Sequence, residues 1–139
     1  MTRRSFYLLL GIFMLSTQVF TQVSKLSKEA QVNLENGHLK TAIDMYKSIL
    51  ALEPENRNAN LNLGLIYSEL LDNFVLAQPY LEKTMQLPAK DTAYDVIFAL
   101  GKCYQFNGEF DRAMSFYNRL GGVQDLDEER NFQRDIEKL

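Results

Sequence analysis

The stretch Gly101-Lys102-Cys103-Tyr104-Gln105-Phe106-Asn107-Gly108-Glu109-Phe110-Asp111-Arg112-Ala113 decides the fold. Its skeleton is Gly-x-x-Tyr-x-x-x-Gly-x-x-x-x-Ala, and parts of it occur twice upstream. Ala30 to Ala42 reads Ala-x-x-x-x-x-x-Gly-x-x-x-x-Ala, and Gly64 to Tyr67 reads Gly-x-x-Tyr. Ala30 lies 34 residues before Gly64, and Gly101 lies 37 after it. A period near 34 with small residues at fixed offsets predicts stacked helical hairpins, each burying its apolar face against the next. Function is then expected from a surface, not from a catalytic pocket.

Each unit is expected to hold two antiparallel helices, A and B. Ala30, Gly64 and Gly101 fall mid-way along helix A, where a glycine costs roughly 1 kcal/mol relative to alanine. That cost is tolerated where a missing side chain lets another helix come close. Ala42 and Ala113 are the matching small residues on helix B, so small is expected to face small. Tyr67 and Tyr104 lie one turn after the helix A glycine on the same face. Tyr46, Leu81 and Tyr117 lie four residues after Ala42, Ala77 and Ala113. Gly37 and Gly108 occupy the A–B turns, where left-handed backbone follows a helix end. Pro54 stops the first helix B.

These residues resemble the tetratricopeptide repeat, over Leu26–Leu120. The resemblance implies an all-α fold: three helical hairpins stacked as a short right-handed solenoid plus a C-terminal capping helix, preceded by an N-terminal signal segment. The expected organisation is a leader over 1–21, repeats over 22–122 (about 23–56, 57–90 and 91–122), and a cap over 123–139. Departures from the pattern are Asn33 in place of an aromatic, and Ile49, Thr84 and Leu120 where alanine is frequent. The second repeat carries one extra residue, assigned to its turn at Leu71-Asp72-Asn73-Phe74, because turns absorb insertions more readily than helices. Pro79 then falls early in helix B, where it removes one backbone donor.

Arg3 and Arg4 precede an apolar run from Phe6 to Leu15, which gives way to Ser16-Thr17-Gln18. A basic n-region and a short h-region are the signature of a secretory signal peptide. Cleavage is expected near Thr21–Gln22, and an uncleaved membrane anchor is the alternative. No cysteine follows the h-region, which excludes a bacterial lipoprotein anchor. The chain is therefore expected to be exported to the periplasm or to associate with the outer membrane, or, uncleaved, to be anchored at the inner membrane.

Loss of residues 1–21 removes two arginines and no acid, leaving thirteen basic residues of fifteen against eighteen acidic, a net charge of −5. An acidic body argues against nucleic acid and against anionic lipid as a target. The single cysteine, Cys103, has no intramolecular partner and reads as a buried, inert thiol. His38, the one histidine, falls in the first A–B turn. One His and one Cys cannot build a structural zinc site, and there is no nucleophile elbow and no phosphate loop. No enzyme activity, cofactor or metal is expected.

After Gly121-Gly122, Asp125 and Glu128 read as a capping box, and Phe132, Ile136 and Leu139 form one apolar stripe. The resemblance implies a helix that covers the third hairpin, and the same stripe offers a route to self-association. A calcium site at Asp125, Asp127, Glu128 and Glu129 fails on spacing.

By register, the resemblance implies an inner groove lined by helix A residues. These are Gln31, Leu34 and Glu35, then Leu61, Leu65, Ser68 and Glu69, then Phe98, Lys102, Gln105 and Phe106. A mixed apolar–polar groove suits an extended or helical peptide. With Lys102 the third repeat's only groove cation, the clamp that chaperone-docking repeats use for a C-terminal carboxylate is missing. More weakly, Ala77-x-Pro79-Tyr80-Leu81-Glu82-Lys83 and Phe110-Asp111-x-Ala113 resemble the N-terminal repeat regions of Bacteroidetes OmpA-like envelope proteins. The expected role is a non-catalytic adaptor in the periplasm or cell envelope, whose partner is another protein or peptide segment. Alternatives are a structural subunit that self-associates through the C-terminal helix, or a membrane-anchored repeat module.

Overall fold

A computed structural model describes the backbone of residues 3–88 and 94–120, with side chains from Thr17 onward. The expected capping helix, with Phe132, Ile136 and Leu139, lies outside the described residues. Among the described residues six α-helices follow one another: α1 Arg3–Glu35, α2 Leu39–Leu52, α3 Arg57–Leu65, α4 Phe74–Gln86, α5 Tyr94–Phe106 and α6 Phe110–Leu120. They pair as the hairpins α1/α2, α3/α4 and α5/α6, and α2 packs on α3 as α4 does on α5. The described residues contain no strand.

Turn chemistry explains the pairing. Helix α1 ends at Glu35, and Gly37 takes a left-handed φ of 76°. Its N–H donates to the Leu34 carbonyl at 3.0 Å, while the His38 N–H reaches back to Asn33 at 2.8 Å. Gly108, at φ 80°, repeats this pattern, with its own N–H on Gln105 and that of Glu109 on Tyr104. This double bond closes the orphan carbonyls of a helix C-terminus and needs a residue that tolerates positive φ. Asn56 and Asn73 cap the next helices, accepting from the N–H groups of Ala59 (3.0 Å) and Leu76 (3.1 Å).

The second hairpin departs from expectation. Its turn is Leu71–Asn73, three residues like the other two, and the extra residue sits in helix A instead. α3 continues as a π-helical segment, Ile66–Leu70. The closing bond is correspondingly longer, with the Asn73 N–H spanning six residues to the Tyr67 carbonyl at 2.7 Å. In the other turns the matching bond spans five. The widened helical turn keeps the chain hydrogen-bonded into the turn, with the Leu71 N–H donating to the Ile66 carbonyl at 3.1 Å. Asp72 occupies the left-handed turn position, at φ 48°, where the other hairpins have glycine.

A second correction concerns the small residues. Ala30, Ala42, Ala77 and Ala113 are fully buried, yet the glycines do not face small partners. A Cβ on Gly64 would lie 2.5 Å from Leu81 Cδ2, and one on Gly101 would lie 2.6 Å from Tyr117 Cε1. The glycine makes room for the large side chain one turn beyond the helix B alanine, so small faces large.

The core runs along the hairpin seams through Tyr46, Ile49, Leu63, Ile66, Leu81, Leu100 and Cys103, all with essentially no exposure. Tyr67 and Tyr104 are buried as expected, and stack against Tyr80 and tilt against Phe116 respectively. Asn33, which replaces the first aromatic, is half-buried and donates to the Glu29 carbonyl. Thr84 satisfies its buried hydroxyl on the Tyr80 carbonyl at 2.9 Å. α4 continues through Pro79 to Gln86.

At the N-terminus α1 runs without a break through the expected cleavage point at Thr21–Gln22. Val23 is buried in the core, with Val19 and Leu26 packed against it. Among the described residues no helix is long and apolar enough to cross a membrane.

Candidate partner-binding groove

The expected groove residues fall into two clusters and a packed remainder. In the first hairpin Gln31 and Glu35 are exposed and joined, the amide donating to the Glu35 carboxylate at 2.9 Å. The Gln31 carbonyl also accepts from the Tyr46 hydroxyl at 3.3 Å. Leu34, Leu61 and Leu65 are half-buried against the core and present only an edge to a partner. Ser68 is a correction: it is fully buried and donates to the Leu65 carbonyl, so it offers nothing to a groove. The π-helical segment begins two residues before it, and the widened turn rotates the positions that follow Leu65.

The second cluster joins hairpins two and three. Lys102 lies 3.3 Å from Glu69 and sits over the rings of both Phe74 and Phe98, 5.7 Å from each centroid. Phe106 stacks on Phe74 with ring centroids 4.1 Å apart and planes within 7°. Phe98 tilts against Tyr117 at 6.0 Å, and the Tyr117 hydroxyl donates to Gln105 at 3.1 Å. Four of the expected residues, Glu69, Phe98, Lys102 and Phe106, are thus brought together by a fifth, Phe74. Sequence reading missed Phe74 because it opens helix B, matching Leu39 and Phe110, and only the stacking of one hairpin on the next carries it across.

Electrostatics here holds groups in place; it does not activate them. The Lys102 ammonium rests between two aromatic faces and a carboxylate, an arrangement that fixes a flexible side chain. Tyr104 donates to Glu82 at 2.6 Å, and burial first, then this bond and the Glu82 charge, push its pKa up to about 12. Burial first, and the Glu69 charge second, push the Cys103 thiol up to about 11, as expected for an inert thiol. Among the described residues no three His, Cys, Asp or Glu side chains gather to hold a metal ion.

A family model for the tetratricopeptide repeat matches residues 95–122, the third hairpin. The third hairpin is a tetratricopeptide repeat. The repeats extend beyond that match: 87 residues, 63% of the chain, are 34% identical to the BBSome complex member BBS4 of Bos taurus. The chain corresponds to 16% of the length of that relative. Neither comparison supports the narrower resemblance to OmpA-like envelope proteins. Tetratricopeptide repeats generally serve as non-catalytic adaptors that bind other proteins.

Proposed function

We propose that this chain is a non-catalytic adaptor that holds a segment of another protein against the helix A face of its second and third repeats. The carrying observation is the Glu69–Lys102–Phe98–Phe106 cluster. These side chains remain partly or largely exposed, while Leu81, Tyr104 and Leu100 close the core behind them. A groove with one fixed cation, one carboxylate and two aromatic rings suits a peptide of mixed polarity. A Phe98→Ala, Phe106→Ala variant used as bait beside the wild-type chain tests this reading. A protein captured by the wild type and lost by the variant is the expected result. Substrate turnover abolished by changing one polar residue would sink it.

We further propose export to the periplasm or cell envelope, on the strength of Arg3, Arg4 and the apolar run from Phe6 to Leu15. One observation favours the second reading, retention of the leader as a membrane anchor. Val19 packs against the core upstream of the expected cleavage point, within the same unbroken helix as Val23. Cleavage after Thr21 would remove that contact. The mass of the native protein separates the two, since a retained leader keeps Met1–Thr21.

A further inference from the structure

Exposed apolar side chains are concentrated at one edge of the array. Among the described residues, six of the ten large apolar side chains that stand exposed lie within 70–76 and 106–110: Leu70, Leu71, Val75, Leu76, Phe106 and Phe110. These stretches are the A–B turns of the second and third hairpins with their flanks. The Phe74–Phe106 stack joins them, and the Asn107 amide bonds to Gln78 across the same seam. They form one continuous edge.

Hairpin closure does not need these side chains, as the first hairpin shows. Aligned on the left-handed turn residues Gly37, Asp72 and Gly108, the counterparts of Leu70 and Phe106 are both Glu35. Those of Leu71, Val75 and Leu76 are Asn36, Lys40 and Thr41. The same turn therefore closes with polar residues at these four positions, and only Phe110 has an apolar counterpart, Leu39. Val75 is 70% exposed, so its burial contributes little to folding. Apolar groups that water reaches and packing does not use mark a contact surface.

Charge selects the occupant. The edge carries Glu69, Asp72, Glu109 and Asp111 against Lys102 and Arg112. Both cations are already engaged, Lys102 by Glu69 at 3.3 Å and Arg112 by Glu109 at 2.8 Å. Asp72 and Asp111 are exposed and make no ion pair among the described residues. A second copy would set this acidic rim against itself. Residues 121–139 of the same chain carry six acids against three bases, which is again the wrong sign.

We propose that the turn edge of the second and third hairpins is a second docking surface, adjoining the groove at Phe106 and Glu69, for a partner segment with large apolar side chains flanked by lysine or arginine. The apolar ridge supplies contact area, and the unpaired carboxylates of Asp72 and Asp111 set orientation and on-rate.

The test uses the full chain and two labelled helical peptides, one of leucine and lysine, the other with glutamate replacing lysine. Fluorescence anisotropy is expected to show binding of the lysine peptide that weakens as salt rises. A Leu71→Gln, Val75→Gln variant should weaken it tenfold or more, while Phe98→Ala in the groove changes it less than twofold. Both altered edge residues are exposed, so unchanged far-UV circular dichroism and melting are expected. A Asp72→Asn, Asp111→Lys variant should shift preference toward the glutamate peptide. Equal binding by the edge variant and the wild type would overturn the proposal, as would preference of the wild type for the glutamate peptide. A wild-type dimer in light scattering that the edge variant abolishes would also overturn it, by making a second copy the occupant.

Discussion

Gly64→Ala should destabilise this protein even though alanine is the better helix former. Propensity alone favours the substitution by roughly 1 kcal/mol in a helix interior. Against it stands the Leu81 side chain, with Cδ2 at 2.5 Å and Cγ at 2.6 Å from the added Cβ. Leu81 is fully buried, and its backbone nitrogen at 3.3 Å limits how far the helices can part. Overpacking of this kind costs about 1–3 kcal/mol, so the net loss should be up to about 2 kcal/mol once the propensity gain is subtracted. Gly101→Ala should lose less, because the opposing Tyr117 ring is only half-buried and can swing outward.

The decisive measurement is a double-mutant cycle with Leu81→Ala, followed by urea unfolding and far-UV circular dichroism. Leu81→Ala alone should cost about 2–5 kcal/mol, so an osmolyte added equally to all four proteins keeps the weakest folded. With the side chain gone, Gly64→Ala should become stabilising by about 1 kcal/mol through propensity alone. The sign of one substitution thus reverses with its partner, a coupling of about 1–3 kcal/mol. Stabilisation by Gly64→Ala in the wild-type background, or additive effects, would refute the small-against-large packing.

Other outcomes follow from the same structure. Asp72→Gly removes an L side chain from φ 48° and should raise unfolding free energy by about 0.5–1 kcal/mol, read as a higher urea midpoint. Cys103 should resist a disulfide reagent until the chain unfolds, because its thiol is buried and its pKa is pushed up to about 11. For the same reason stability should be fully present below about pH 9, the ordinary thiol value, and fall by about 2 kcal/mol as pH rises toward 11. In that window the unfolded thiol ionises and the folded one does not, so the unfolded state binds fewer protons. Cys103→Ala should flatten that part of the profile, leaving the later Tyr104 titration.

The architecture was legible because the residues that specify it are sparse and spaced. Gly101, Tyr104, Gly108 and Ala113 each answer a local steric demand, and local demands survive in sequence. What could not be read depends on contacts between hairpins. No spacing rule pairs Phe74 with Phe106, since their stacking reflects how far one hairpin rotates against the next. The extra residue was visible as an offset of thirteen between Gly64 and Ala77. Its location was not, because turn and helix compete for it on backbone hydrogen bonds that sequence does not display. The regular α-helical register puts Ser68 in the groove, and the π-helical segment breaks that register.

That segment also links the two surfaces. One added residue after Gly64 swings Ser68 into the core and sends Glu69 toward Lys102 of the next hairpin. It leaves Leu70 and Leu71 facing water at the turn. An unbroken α-helical register would have spaced this turn as in the first hairpin, where Glu35 and Asn36 hold the matching positions. The carboxylate that fixes the groove cation and the leucines that begin the apolar edge therefore share one backbone irregularity. π-helical turns inside α-helices gather at functional positions because their wider ring re-aims side chains at small backbone cost. Here it re-aims four consecutive ones, and both candidate surfaces of the repeat array begin at them.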